Sequence, residues 1–164
     1  MHLFVIRHAI AEDVAPGGDD ADRKVTSSGE RKFKRVVRGL RALGWHFDRV
    51  LSSPWARAAR TAELLAPVSD GTPITTPLLT EPPRPELLAM IAESSSPAKR
   101  HATALVGHEP WLGELVSLLV YGDTVHGEPL LLKKGGVIWV QGSSVAGGMM
   151  LRALLPPGLL RQLR

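Results

Sequence analysis

The residue pattern predicts an α/β fold, a three-layer α/β/α sandwich with a mainly parallel central sheet. Three observations lead there. Short apolar, β-prone runs alternate with segments of helical periodicity along most of the chain. The 164 residues, 44% of them hydrophobic, suffice for one core, so residues 1–164 are expected to form a single domain. The Pro/Gly-rich pieces fall between elements that are already short, so they read as loops rather than linkers, and no internal repeat is visible.

Phe4-Val5-Ile6 is the first strand, and the polar stretch Glu12 to Lys24, with Gly17-Gly18 and the acids Asp19, Asp20 and Asp22, is a long loop after it. A helix follows. Phe33, Val36, Val37, Leu40 and Leu43 recur on one face, and Arg31, Lys34, Arg35 and Arg38 on another. Asp48 to Leu51 is a second short strand. Ser52-Ser53-Pro54 then supplies a serine cap with proline at the first helical position, opening a helix over Pro54 to Ala66. An extended piece at Ile74-Thr75, a proline-rich loop and a helix near Pro85 to Ala92 come next. Ala102 to Val106 is a strand ended by Gly107-His108-Glu109-Pro110, and Trp111 to Val120 a helix. After a Gly-rich loop, Val137 to Gln141 and Met149 to Leu154 read as two strands, expected to pair antiparallel at one edge of the sheet.

Composition excludes several chemistries. Without cysteine there is no disulfide framework, zinc ribbon or thiol nucleophile, and a reducing, cytoplasmic location is expected. The N-terminus runs straight into a strand with no leader pattern, and no window approaches the roughly 20 apolar residues of a membrane span, so no membrane association is expected. The net charge of +4 and the isoelectric point of about 9.9 suit anionic partners without identifying one. The basic stripe on the first helix is either a solvated face, the commoner case, or a surface for nucleic acid or an acidic partner.

In open sheets of this class, ligands bind beyond the carboxyl ends of the strands. Arg7-His8, Ser52-Ser53-Pro54 through Arg57, and Gly107-His108 all fall at such ends or in the first turn of the next helix. Two arginines and two histidines held together form a costly cationic cluster unless an anion binds between them, and a tetrahedral phosphate meets that need. A histidine at a strand end, taken alone, is usually structural; the combination carries the argument. Metal catalysis is not expected, because the histidines at positions 2, 8, 46, 101, 108 and 126 form no H-x-H, H-x3-H or H-E-x2-H set and the nearby arginines repel a cation. No cofactor is expected either.

Arg7-His8-Ala9, the run Ser52-Ser53-Pro54-Trp55-Ala56-Arg57-Ala58-Ala59-Arg60-Thr61-Ala62-Glu63, and Val106-Gly107-His108-Glu109 resemble the three signatures of the histidine phosphatase superfamily. Within it, the short chain is most similar to small bacterial phosphohistidine phosphatases of the SixA type, and Arg23-Lys24-Val25-Thr26-Ser27-Ser28-Gly29 adds a fourth match. The likeness covers most of residues 3 to 120 and then fades.

The resemblance implies a phosphoglycerate mutase-like fold and a phosphatase whose nucleophile is His8, with Arg7, Arg57 and His108 around the phosphate and Arg23 as a further pocket arginine or an ordinary loop residue. The implied substrate is a phosphorylated protein bearing phosphohistidine, or else a small phosphate ester, and no nucleic acid. A neutral His8 is required, its second ring nitrogen held by a backbone carbonyl. Ala9 departs from the glycine usual after the histidine and needs a negative φ. Glu81 is the best positional match for a general acid, with Glu109 second; the alternatives are an exposed loop acid and a helix cap. A phosphohistidine substrate, whose protonated imidazole leaves readily, makes that acid less necessary. Ser69 to Pro85 and Gly122 to Gly136 are short for a lid, which suits a protein surface better than a small phosphate ester. A phosphate- or nucleic-acid-binding module using the basic helix stands as the alternative of another class.

Overall fold

Strand β1 (His2–Arg7) lies inside a six-stranded sheet because both of its faces are apolar: Leu3 and Val5 point to one side, Phe4 and Ile6 to the other. The computed structural model describes residues 1–14, 17–93 and 101–163. Ala15 and Pro16 of the expected polar loop lie outside these. The other strands are β2 (Arg49–Ser52), β3 (Ile74–Thr75), β4 (Ala102–Gly107), β5 (Val137–Gly142) and β6 (Met149–Leu155), in the spatial order β3-β2-β4-β1-β5-β6. The pairs from β3 to β1 are parallel, and β5 is antiparallel to both neighbours. The expected antiparallel pair therefore stands at one edge, reached through β5.

Helices cover both faces. On one side α1 (Ser27–Ala42), α2 (Ala56–Glu63) and the four-residue α5 (Pro157–Leu160) bury Phe33, Val37, Leu40, Ala58 and Leu160 against Phe4, Ile6 and Val106. On the other, α3 (Pro85–Ala92) and α4 (Trp111–Tyr121) bury Leu87, Ile91, Leu112 and Leu115 against Leu3, Val5 and Leu105. Each large side chain so removed from water contributes about 1.5–3 kcal/mol before entropy is counted. This is the predicted three-layer sandwich. Leu43 is a departure from the predicted apolar stripe: it follows the last residue of α1 and stays 41% exposed.

Two local features bring the polar loop over the carboxyl ends of the strands. Thr26 caps α1 by accepting from Gly29 N at 2.9 Å, while its own N–H bonds Ile10 O at 3.0 Å. Gly29 permits that approach, since a Cβ there would lie 2.1 Å from the Ile10 oxygen. Glu12 N then bonds Lys24 O at 2.9 Å, closing the loop at its base. Any side chain at position 29 must push α1 away from this loop.

The second helix begins later and ends earlier than its pattern predicts. Ser53 N bonds Val106 O at 3.0 Å, so the backbone continues along the sheet past β2, and Trp55 is still extended at φ −62°, ψ 135°. Ser53 Oγ does not cap a helix; it accepts from Trp55 N at 3.2 Å. Beyond Glu63 the chain leaves the α-helix, and Pro67 sits in a short 3-10 turn, Ala66–Val68.

Candidate active site

Parallel pairing places the two histidines. Arg7 on β1 stands opposite Gly107 on β4, so the residues that follow, His8 and His108, leave the sheet side by side. His8 N bonds Gly107 O at 3.1 Å, and the ring centroids are 5.2 Å apart. β2 ends next to β4, with Ser52 opposite Val106, which delivers Trp55 and Arg57 to the same spot. A cavity of about 350 Å3 opens there, lined by Arg7, His8, Arg23, Arg57 and His108, together with Asp20, Trp55, Trp111, Glu109 and Lys134. A larger hollow of about 560 Å3 beside α1 is lined by Arg35, Arg38, Arg41 and Arg161. Among the described residues its lining includes no histidine and no side-chain carboxylate, so size alone does not mark the chemistry.

The protonation of His8 follows from its two neighbours. Nδ1 lies 2.7 Å from Ala9 O, which can only accept, so Nδ1 carries the hydrogen. Arg57 Nε–H donates to Nε2 at 3.2 Å, so Nε2 presents its lone pair. The ring is neutral. Burial, opposed by the Ala9 carbonyl and reinforced by the charges of Arg57, Arg7 and Lys134, lowers its pKa to about 4. The Ala9 peptide is itself fixed: its N–H donates to Thr61 Oγ1 at 2.9 Å, and the Thr61 hydroxyl donates to Arg57 O at 2.6 Å. No described residue other than glycine has a positive φ, so alanine at position 9 is unstrained.

Arg57 is 4% exposed and lies in the first turn of α2, at the positive end of the helix dipole. Its guanidinium stacks over Trp55, with Cζ 4.7 Å from the ring centroid. Arg7 Nη1 donates to Leu132 O at 2.6 Å, whereas Arg7 Nε and His108 Nδ1 are buried with no partner among the described residues. His108 is 3% exposed; burial, followed by the influence of His8 and Arg57, lowers its pKa to about 3, so it too is neutral at pH 7.

Arg23 lies on the cavity, with Nη1 2.9 Å from Asp20 Oδ1. Glu81 does not reach it. Its carboxylate pairs with Arg84 at 2.7 Å, in the loop before α3. Glu109 lines the cavity, but Oε2 accepts from Gly113 N at 2.9 Å and Oε1 from Leu132 N at 2.6 Å. Burial raises its pKa, and the two N–H donors oppose that. Both oxygens are thus engaged as acceptors, tying Glu109 to the first turn of α4 and to Leu132.

Asp20, like Trp111 and Lys134, lines the cavity without having been marked by the sequence. Its carboxylate meets Arg57 Nη2 at 2.7 Å and Arg23 Nη1 at 2.9 Å, and these partners, Arg23 first, hold its pKa below the usual aspartate value. Among five acids in the polar stretch from Glu12 to Lys24, the only signal in the sequence is its position three residues before Arg23. Among the described residues no group of three or more His, Asp or Glu is arranged to hold a metal ion, and no helix is long and apolar enough to cross a membrane. A tetrahedral oxyanion fits the arrangement: Arg7, Arg57 and His108 line the cavity around Nε2 of His8.

Comparison with known proteins agrees with this geometry. Residues 3–114 match the family model of the histidine phosphatase superfamily, branch 1. An uncharacterized protein of Picosynechococcus is 41% identical over 140 residues, spanning 84% of this chain and 83% of its own. The protein histidine phosphatase SixA complexed with tungstate superposes with a TM-score of 0.76 at 22% identity, covering 96% of this chain and 98% of that one. Phosphoserine phosphatase from Entamoeba histolytica, in complex with 3-phosphoglyceric acid, superposes with a TM-score of 0.67 at 15% identity, covering 94% and 96%. At these identities the superpositions establish the shared phosphoglycerate mutase-like fold. With its signatures gathered at the ends of β1, β2 and β4, the chain belongs to the histidine phosphatase superfamily.

Proposed function

We propose that the protein is a SixA-type phosphatase that moves a phosphoryl group from phosphohistidine in a protein onto Nε2 of His8 and then to water, without a metal or other cofactor. The observation that carries the phosphoryl-transfer reading is the tautomer of His8. A neutral imidazole with Nδ1–H tied to Ala9 O is a nucleophile at Nε2, whose lone pair accepts from Arg57 Nε–H and turns to phosphorus once that guanidinium shifts onto the phosphoryl oxygens. Arg7, Arg57 and His108 supply donors to the equatorial oxygens, where charge spreads during transfer. The bond from phosphorus to His8 Nε2 forms as the bond to the leaving nitrogen breaks. His8 keeps its Nδ1 hydrogen, so the phosphoryl group rides on an imidazolium, itself a good leaving group. Water then attacks phosphorus, the P–N bond breaks with its electron pair returning to His8 Nε2, and both hydrogens of the water leave on the orthophosphate.

The choice of phosphohistidine rests on the acids. Among the described residues, the three carboxyl groups in view are Glu81, paired with Arg84 away from the cavity; Glu109, accepting two backbone N–H groups; and Asp20, held ionised by two arginines. The oxygens of Glu109 and Asp20 already have partners and Glu81 is turned to Arg84, so none of the three is offered to a leaving group. A protonated imidazole needs no such help, whereas an alkoxide does. The tryptophans at 55 and 111 add aromatic walls on which an imidazole can stack. This reading takes residues 1–164 as one catalytic domain acting in the cytoplasm, with no nucleic acid or membrane partner.

Hydrolysis of small phosphate monoesters is the second reading, and a module binding anions through Arg35, Arg38 and Arg41 is the alternative of another class. The deciding experiment compares, with EDTA present, a phosphohistidine protein, aryl phosphates of graded leaving-group pKa and an alkyl phosphate. Expected are cleavage of the first, a steep fall along the aryl series and little turnover of the alkyl ester. Equal turnover of alkyl and aryl esters contradicts the absence of acid catalysis. No turnover of any of them, with salt-dependent DNA binding untouched by His8→Ala, favours the binding module.

A further inference from the structure

Ser53 is completely buried, and its hydroxyl oxygen lies 2.8 Å from Nε2 of His108. Oγ already accepts from Trp55 N at 3.2 Å. The one hydrogen on that hydroxyl must go to an acceptor, and among the described residues the acceptor within reach is His108 Nε2. We propose that Ser53 is a positioning residue: its hydroxyl donates to Nε2 of His108, fixes the neutral Nδ1–H tautomer, and makes Nδ1–H the donor that His108 offers to the transferring phosphoryl group.

Counting donors and acceptors decides between the two tautomers. With hydrogen on Nε2, that N–H donates to Oγ, the Ser53 hydrogen has no acceptor, and the Nδ1 lone pair has no donor; two buried groups are left unmatched. With hydrogen on Nδ1, Ser53 is satisfied and a single group, Nδ1–H, remains without a partner. A cationic ring, donating from both nitrogens, is disfavoured by burial and by the nearby Arg57 and Arg7. Only the Nδ1–H form makes the unpartnered atom a donor, which is what an oxyanion requires; a lone pair there repels one.

The two histidines are thereby the same tautomer used in opposite senses. In His8 the Nδ1–H is tied to Ala9 O, and the Nε2 lone pair, which accepts from Arg57, is the atom that meets phosphorus. In His108 the Nε2 lone pair is tied to Ser53 and an N–H is left for an oxygen. Ser53 is held for this task by the sheet, through its N–H to Val106 O, and by Ser52 Oγ, which donates to Ser53 O at 2.9 Å. A residue that looks like a helix cap in sequence thus sets which way a catalytic ring is polarised.

The assignment of the tautomer does not depend on the phosphatase reading, but its catalytic consequence does. The test is a long-range 1H–15N correlation spectrum of 15N-histidine-labelled protein at pH 7, with the His8 and His108 signals identified by their loss in His8→Ala and His108→Ala. Expected is a neutral, single Nδ1–H form for both rings, with Ser53→Ala converting His108 to the other tautomer or a mixture and leaving His8 unchanged. Turnover of an aryl phosphate by Ser53→Ala should drop on the order of 10²-fold, as when one donor to a developing oxyanion is lost, and Ser53→Thr should recover most of it. Finding His108 with hydrogen on Nε2 in the unmodified protein overturns the proposal whatever the activity, and so does a Ser53→Ala spectrum in which His108 is unchanged. If Ser53→Ala does not fold, the spectrum of the unmodified protein still decides. A chain with the expected tautomer but no phosphatase activity leaves this assignment standing and removes the reading of function.

Discussion

Asp20 and Arg57 form an ion pair at the candidate active site, Oδ2 to Nη2 at 2.7 Å, with the arginine side chain 5% exposed and the aspartate 44%. A carboxylate of the same chain therefore engages the guanidinium expected to hold phosphate. An incoming oxyanion must displace it. Asp20→Asn should tighten competitive inhibition by inorganic phosphate or tungstate by about five- to tenfold, on the order of 1 kcal/mol for a partly exposed pair. Inhibition constants for the variant check this. A large fall in kcat with unchanged inhibition would instead give Asp20 a part in the chemistry.

Arg57 and Arg60 separate the pocket from the surface of α2. Arg57 reaches His8 and Asp20, while Arg60 pairs with Glu30 at 2.9 Å and Glu63 at 2.8 Å on the solvent side. Arg57→Ala should lower kcat/KM by about 10²- to 10³-fold, whereas Arg60→Ala should change it by less than about threefold. Equal losses would mean that the phosphate site is elsewhere. Parallel thermal melts show whether either variant is merely unfolded.

The pH dependence follows from the lowered pKa values of the histidines. His8 attacks only when neutral, and burial brings its pKa from 6.5 to about 4. After correction for ionisation of the substrate phosphate, kcat/KM should be flat from pH 8 down to about 5 and bend near 4. A break at 6.5 would show an exposed, unperturbed ring. Stability should change in the corresponding sense: below pH 6.5 the unfolded chain takes up protons that the native His8 and His108, at about 4 and about 3, refuse. Folding free energy is thus unaffected above 6.5 and declines as pH falls below it, which denaturant titrations at stepped pH can measure.

The layers of the fold and four residues of the site are legible in the residue pattern, and what is not legible has identifiable physical causes. Strands with apolar residues on both faces and an amphipathic α1 announce a covered parallel sheet, and the topology then brings Arg7, His8, Arg57 and His108 together. What pattern cannot show is where a hydroxyl or carboxylate finds its partner. Ser53 reads as a cap, yet sheet pairing holds its backbone and His108 takes its hydroxyl. Asp20 is one acid of five in its loop until the fold sets it against Arg57. Glu81 sits at the position expected of a general acid, but Arg84, three residues on, claims it. Thr61, inside a matched signature, reads as one more helical residue, and only the folded chain shows it bonding the Ala9 N–H that stands beside the nucleophile.

The mechanism depends on a covalent bond between phosphorus and His8. The direct measurement is a rapid quench into base during turnover of a 32P-labelled substrate, followed by mapping of the labelled peptide. The account predicts a base-stable, acid-labile label on His8, absent in His8→Ala together with all turnover, and present with residual activity in His108→Ala. Label on His108 with activity surviving loss of His8 would exchange their roles, and no phosphoenzyme in any form, slowed variants included, would contradict the mechanism in favour of direct attack by water.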